Sequence, residues 1–474
     1  MVTISPTVER WGVHEIELAG PADGNPFAEV RLSARYQYRN RIVEAEGFYD
    51  GDGVYRVRFM PDAVGPWHFT TVSNVPELDG HSGDIEVSPA SEGNHGPVRA
   101  SGKDASGKDA SGKDFEYADG TPYLPFGTTC YHWTHDMDEE RERRTLDTLA
   151  ASPFNKLRMC VLPTGAMSPP EVPFAGQDPD GLDKTRFNPV FFRHLEARIQ
   201  DLLDLGIEAD VILFHPYDGG VRGVEDMGRE TDHAYLRYVI ARLSAYRNVW
   251  WSAANEYDFN RSKTVADWDD ILRAIARLDP YGHLLSIHNG TRMYEMAWIY
   301  DNTKPWITHQ SIQHWDATLT DTWLRECPKP VVIDEISYEG NVGKRWGNVT
   351  GEELMDRFWE GMTRGGYVGH GESLAGFQER AWIGNGGALF GESPPRIAFL
   401  RRIMEERRDG TVVRYLGRRQ QAHVTVDLPA DGGYAVELID TWNMTVTPVD
   451  GVHRDRVRVG LPRRPYLALR LTRV

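Results

Sequence analysis

The chain has 474 residues, with 14 Trp and 20 Tyr among them, and a formal net charge of −17 at pH 7. A chain of this length divides into two or three domains and buries a core that needs no disulfide or metal staple. Its acidity argues against nucleic acid or an anionic membrane as a partner, since both require a basic surface.

The first 90 or so residues read as all-β. VHEIELAG, FAEVRLSARYQY, YRVRFMP, WHFTTVS and DIEVSP form short strand-like runs, and GDG at 51–53 marks a turn. The expectation is a β-sandwich over 1–95. A repeat follows, with ASGKD at 100–104, 105–109 and 110–114. Such units cannot build a core, so 96–114 reads as an exposed linker or loop.

From residue 115 strand-like runs alternate with amphipathic helical stretches. The runs are YLPFGTTC, NKLRMCVL, EADVILFH, VWWSAANE, HLLSIHN, WITHQS, PVVIDE and GYVGHGE. Helices are expected at 138–150, 189–205, 232–246, 265–278, 318–327, 352–363 and 396–407. Eight strands alternating with helices predict an α/β chain with a (β/α)8 TIM barrel over 115–407. An open doubly wound sheet would more often carry a glycine-rich phosphate turn after its first strand, which FGTTCYHW is not. Residues 408–474 return to β, with TVVRYLG, QAHVTVDLP, YAVELIDTW, RVRVGLP and YLALRLTRV, and are expected to form a small domain against the barrel.

Cys130, Cys160 and Cys327 have no C-x-x-C spacing and read as buried free thiols of a reducing compartment. The opening MVTISPTVERWGVHE lacks the layout of a secretory signal, and no run of about 18 apolar residues exists to span a membrane. The expected location is cytoplasmic.

In barrel enzymes the reactive groups stand at the C-terminal ends of strands. Strand four ends in WWSAANEYDF, which places Asn255 and Glu256 there. A glycosidase acid must be held protonated near the leaving oxygen, and a neighbouring amide can bind the sugar's 2-hydroxyl. Strand seven ends in PVVIDEISYEG, where apolar residues run into Asp334 and Glu335. Adjacent strand residues point to opposite faces, so only one of the pair is expected to face the barrel axis. Glu335 is assigned to the axis, and Asp334 to the surrounding helices, paired with an Arg. Strands four and seven lie across the mouth from each other. Carboxyls about 5–5.5 Å apart favour a covalent glycosyl intermediate, and wider spacing favours inversion. Glu256 would be shielded and protonated, and Glu335 kept ionised by donors.

The Asn-Glu at strand four and the Glu at strand seven resemble the signature of glycoside hydrolase clan A, whose retaining barrels carry their two carboxylates on these strands. Arg158 in NKLRM and His215 in LFHP occupy further positions familiar in that clan. The layout also resembles a group with an N-terminal sandwich of unknown function, an apiosidase-like or cellulase-like barrel and a small β-domain. FGTTCYHW is similar to that group's first-strand motif. The resemblance implies an equatorial bond, a β-D-pyranoside or an α-L-arabinofuranoside type of linkage. One departure stands out. Clan members often place a Tyr at strand six to hydrogen-bond the nucleophile, whereas strand six here reads THQSIQHW. His309 or Gln310 would replace it, or a Tyr such as Tyr338 would serve.

Other strand ends supply binding groups: His132 and Trp133 after strand one, His288 and Asn289 after strand five, and Trp315 after strand six. His370 and Glu372 follow strand eight, with Trp382 and Asn385 in the next loop. A Trp there commonly forms the floor of the sugar subsite in the clan. Each residue alone is more often structural; together they suit a polar, aromatic-lined pocket.

The favoured reading is an exo-acting retaining glycosidase for short oligosaccharides or glycosides, with neither cofactor nor metal. The loops at 164–186 and 338–349 are expected to close the groove into a pocket. A metal-dependent barrel hydrolase is the first alternative, but His132-x-x-His135 lacks His-x-His spacing and no His-Glu-x-x-His occurs. The second is a non-catalytic carbohydrate-binding protein, against which the presence of both carboxylates argues. The glycone, the linkage and any homo-oligomer stay open.

Overall fold

A computed structural model of the chain describes residues 3–4, 7–101, 112–290, 299–374, 381–407, 410–430 and 432–474. Residues 102–111, and with them most of the expected 96–114 linker and the whole second ASGKD unit, lie outside the described residues.

Eight strands between Thr3 and Ser88 pair in a single order. Strand Arg41–Tyr49, which the sequence reading passed over, lies inside that order. It pairs along Arg41–Glu46 with Leu32–Tyr38 and along Gly47–Tyr49 with Val54–Phe59. One strand thus serves both halves of the sheet, and the halves meet over a shared core. The Tyr36 and Phe59 rings, one from each half, stack with centroids 3.8 Å apart. Val43 to Glu46 alternate, but Ile42 is exposed and Phe48 and Tyr49 are buried side by side, so the alternation does not run the length of this strand. The GDG turn is as expected, with positive φ at Gly51, Asp52 and Gly53.

The barrel strands are β1 (Gly127–Thr129), β2 (Lys156–Cys160), β3 (Glu208–Phe214), β4 (Val249–Ala254), β5 (Leu285–Ser286), β6 (Gln310–Gln313), β7 (Val331–Glu335) and β8 (Tyr367–Val368). β1 to β5 form one parallel sheet and β6 to β8 another. Single bridges, His288 to Ser311 and Thr128 to His370, join the two sheets on either side and close the ring. The outer helices are α1 (Glu139–Ala150), α2 (Pro189–Asp204), α3 (Arg229–Leu243), α4 (Val265–Leu278), α5 (Thr320–Glu326), α6 (Gly351–Thr363) and α7 (Ser393–Glu405). Local chemistry starts them: Asp138 caps α1 through the Arg141 N–H, and Thr264 with Asp267 forms a capping box on α4.

The sixth strand begins later than the sequence reading placed it. The run WITHQS covers 306–311, but pairing with β7 starts at Gln310 and continues to Gln313. Ile307 is buried ahead of the strand, so the apolar run and the paired segment do not coincide.

The N-terminal sheet docks on α2 and α3 through a buried ion network. Arg242 of α3 donates to Asp50 at 2.9 Å, and Arg58 donates to Glu196 of α2 at 3.1 Å and to the Arg242 carbonyl at 2.8 Å. Tyr238 adds a hydrogen bond to the Tyr49 carbonyl at 2.9 Å. At the other end a four-stranded and a two-stranded sheet occupy Thr411–Arg473. They dock on α6, where Asp356 accepts from Tyr415 at 2.8 Å and from Arg418 at 2.6 Å. All three cysteines are buried. Among the described residues no helix is long and apolar enough to cross a membrane.

Candidate active site

Inside the ring a charged layer stands where aliphatic side chains commonly pack. Lys156 Nζ lies 2.6 Å from Asp210 and 2.8 Å from Asp334, and all three side chains are buried. Arg158 stands above it, 3.5 Å from Asp210 and 3.7 Å from Asp334. Asp334 is therefore an interior residue, not one facing the helices. The expectation failed because strand faces do not alternate simply here. Between Ser311 and Gln313 on β6 the pairing register shifts, so that one step from Val332 to Glu335 on β7 matches a shorter one on its neighbour. An irregularity of this kind bends a strand and re-aims its side chains. Both acids of the pair reach the barrel interior, Asp334 below and Glu335 at the mouth.

Glu335 accepts a hydrogen bond from the Tyr131 hydroxyl and another from Gln313 Nε2 at 2.6 Å. Arg158 lies 3.5 Å and His288 3.3 Å from its Oε1. Burial alone would raise the pKa of this carboxyl, but His288, Arg158 and Tyr131 override it and hold the group well below the usual carboxylate range. Glu256 follows β4 in left-handed backbone geometry, φ 47° and ψ 49°. For a residue with a side chain that is a strained conformation, which the surrounding structure must enforce. Its carboxyl accepts from Tyr217 at 2.8 Å and from Gln313 at 3.0 Å. Burial, and then the negative charge of Glu335, push its pKa up to about 8. The surroundings thus push the two carboxyls in opposite directions, Glu256 toward its protonated form and Glu335 toward its ionised form.

They share one cavity of about 430 Å³. Tyr131, His132, Tyr217 and Tyr338 form much of its wall, and Phe259 and Trp346, both 42% exposed, stand at its rim. The 338–349 loop contributes Tyr338, Arg345 and Trp346, as its length suggested; the 164–186 loop supplies no lining residue.

Of the residues singled out from sequence, Glu256, Glu335, His132 and Tyr338 line the cavity. Burial lowers the His132 pKa well below its ordinary value, so the ring is neutral. Arg158, Asn255, His215, His288 and Asn289 stand behind the lining. His215 accepts the Tyr217 N–H on Nδ1 at 3.1 Å and lies under the Tyr217 ring, with centroids 5.0 Å apart. Asn289 grips Gln313 twice, donating to its carbonyl and accepting from its N–H, each at 3.1 Å.

The remaining residues lie elsewhere. His309 and Gln310 sit at the start of β6: His309 packs against Trp250 and Phe115, and Gln310 donates to the Cys327 carbonyl at 2.9 Å. Trp133 is buried in the core, and Trp315 stands exposed to one side of the cavity. His370 pairs with Thr128 at 2.8 Å across the barrel seam, and Trp382 donates to the same hydroxyl at 2.9 Å, so neither forms a floor. Glu372 accepts the Phe390 and Gly391 N–H groups at 2.8 and 2.7 Å, and Asn385 donates to Asp136 at 3.3 Å. Sequence reasoning missed Tyr131, Tyr217 and Gln313. Each lies within three residues of a position it did select, so the motifs FGTTCYHW, LFHPY and THQSIQHW contained the signal.

A family model of apiosidase-like catalytic domains matches residues 109–371. A crystal structure from Bacteroides vulgatus, of a protein provisionally assigned as a glycoside hydrolase, is 36% identical. The match covers 99% of this chain and all of that one, with a TM-score of 0.91. The chain belongs to the apiosidase-like family. Two models of domains of unknown function, DUF5060 and DUF5605, match residues 7–74 and 402–472 of this apiosidase-like chain. Two more distant structures, a glycoside hydrolase and a family 5 glycoside hydrolase from Bacteroides vulgatus, are each 14% identical and share the fold, with TM-scores of 0.63 and 0.61. Each covers 80% of this chain, which spans 97% and 94% of theirs. No curated protein matches the sequence. With these relatives, the apiosidase-like chain is a glycosidase.

Proposed function

We propose that the enzyme is a retaining glycoside hydrolase working by double displacement, with Glu256 as acid/base and Glu335 as nucleophile. The observation that carries this reading is the Gln313 amide between them. One nitrogen lies 3.0 Å from Glu256 Oε1 and 2.6 Å from Glu335 Oε2, so those oxygens are at most 5.6 Å apart, the sum of the two distances. Retaining pairs stand about 5–5.5 Å apart, and inverting pairs leave room for a water at about 6.5–9.5 Å. The opposite directions in which the two carboxyls are pushed support the same reading.

In the first step a Glu335 oxygen bonds to the anomeric carbon as the glycosidic C–O bond breaks, and the Glu256 proton passes to the leaving oxygen. The product is a glycosyl ester on Glu335, with Glu256 now ionised. In the second step Glu256 takes a proton from water as that water's oxygen bonds to the anomeric carbon. The ester bond breaks, Glu335 leaves as a carboxylate, and both groups return to their starting states. The cavity, at the small end of the roughly 300–1,000 Å³ range of ligand sites, supports exo action on short oligosaccharides or simple glycosides.

A panel of 4-nitrophenyl glycosides tests the reading with wild type, Glu256→Ala and Glu335→Gln. Turnover of one glycone, abolished in Glu335→Gln and restored by azide in Glu256→Ala as a glycosyl azide of retained anomeric configuration, is the expected result. Normal turnover by Glu335→Gln, or an inverted first product seen by NMR, would refute it.

A further inference from the structure

The residue before a clan A acid is expected to bind the sugar's 2-hydroxyl, but in this site both donors of Asn255 already have protein partners. Its side chain is completely buried. A primary amide offers one oxygen acceptor and two N–H donors. Oδ1 accepts from Arg158 at 2.7 Å. Because a guanidinium can only donate, that contact fixes which end of the amide is oxygen. Nδ2 then faces two phenols, lying 2.5 Å from the Tyr217 hydroxyl and 3.3 Å from the Tyr131 hydroxyl. Each phenol has a single proton. A phenol oxygen that accepts from Asn255 directs its own proton to its other partner. For Tyr217 that partner is Glu256 Oε2 at 2.8 Å, and for Tyr131 it is Glu335 Oε1.

We propose that Asn255 is a positioning residue that sets the Tyr131 and Tyr217 protons, one toward each catalytic carboxyl group, rather than a reader of the sugar's 2-hydroxyl. The inference rests on the two-carboxylate reading above. It gives the amide a task in both half-reactions. In the first, Glu335 loses its charge to the ester while Glu256 gains one, so the Tyr217 bond strengthens as the Tyr131 bond weakens. In the second the change reverses. A single amide holds both donors oriented throughout, so neither has to reorganise as charge moves. Tyr131 from strand one also fills the role that the sequence lacked at strand six.

The test uses Asn255→Ala, Tyr217→Phe and the double variant of the full chain. The substrates are the 4-nitrophenyl glycoside that wild type hydrolyses and its 2-deoxy analogue. The expected result is that Asn255→Ala lowers kcat/KM on both by the same factor, to within about twofold. It should also move the alkaline limb of the pH profile upward, as Tyr217→Phe does, because a carboxylate that loses a donor holds its proton more tightly. The double variant should shift the limb no further than Tyr217→Phe alone. A large loss on the parent glycoside with none on the 2-deoxy analogue, or an unmoved limb, would overturn the proposal. A crystal structure of Asn255→Ala decides independently of turnover: the Tyr217 hydroxyl should leave Glu256, and both tyrosines staying in place would refute the role. If Glu335→Gln turns over normally, the glycosidase reading falls, while the structural result still decides the function of Asn255. Tyr217→Phe, which keeps the buried amide, covers the case in which Asn255→Ala fails to fold.

Discussion

Gly290, just beyond strand five, has a specific reason to be glycine. A Cβ added there would lie 2.5 Å from Glu256 Cβ, 2.6 Å from its Cγ and 2.9 Å from its Cδ. Carbon atoms in contact settle at about 3.5–4.0 Å, so Gly290→Ala demands a displacement of about 1 Å between the two segments. Neither side yields easily. The Gly290 N–H is held by Asp258 at 2.6 Å, and the Glu256 carboxyl is held by Tyr217 and Gln313. The expected cost is about 1–3 kcal/mol of stability from overpacking. A 1 Å misplacement of a catalytic group is also expected to lower kcat about a hundredfold. The leaving group makes the assay specific. A dinitrophenolate departs with little help from an acid, whereas an alkoxide requires it, so the loss should be much larger for an alkyl glycoside than for a 2,4-dinitrophenyl glycoside. Equal losses on both would mean that the methyl group damages something other than the acid. Wild-type kcat with an unchanged Tm would refute the steric reasoning outright.

Two more expectations concern charge. Glu256 acts as an acid in its protonated form, and its pKa is raised to about 8, so kcat/KM should hold below that pH and fall as pH rises through it. Glu335 must be ionised and is held well below the ordinary carboxylate range, so the acidic limb should lie lower than a free glutamate would give; an alkaline limb near pH 5 would contradict the assignment. Lys156→Met removes the cation that Asp210 and Asp334 share at 2.6 and 2.8 Å and leaves two buried carboxylates poorly compensated. Unfolding in urea should show a loss of about 3–5 kcal/mol, and a loss below about 1 kcal/mol would mean that the layer is not ionised as drawn.

Much of this was legible in the sequence because strand runs and helix caps are local. All eight barrel strands fall within or beside the apolar runs, and the ends of strands four and seven carry the two glutamates. What escaped depended on register. The apolar run before strand six is buried ahead of the pairing, so His309 and Gln310 stand at the strand's start and Gln313 occupies its end. The extra residue in β7, set against β6, brings Asp334 and Glu335 into one interior, which alternation alone would forbid. Strand Arg41–Tyr49 alternates only in its middle, with Ile42 exposed and Phe48 beside Tyr49 buried, because a strand shared by two halves of a sheet need not alternate simply. Tyr131 and Tyr217 had no periodic signal to give, since each is defined by a partner far along the chain.

The ion network under the N-terminal sheet bears on what the catalytic barrel is as an object. Glu196 and Arg242 project from the outer surface of α2 and α3, the side that a free-standing barrel would present to water. Here Asp50 and Arg58 roof them over and complete their charge balance. Covered in this way, the Glu196 and Arg242 side chains are buried, while α2 leaves Val190 and Arg193 exposed. The barrel and the sheet accordingly share one buried charge network. Without the sheet, Glu196 and Arg242 would lose the partners that Arg58 and Asp50 supply.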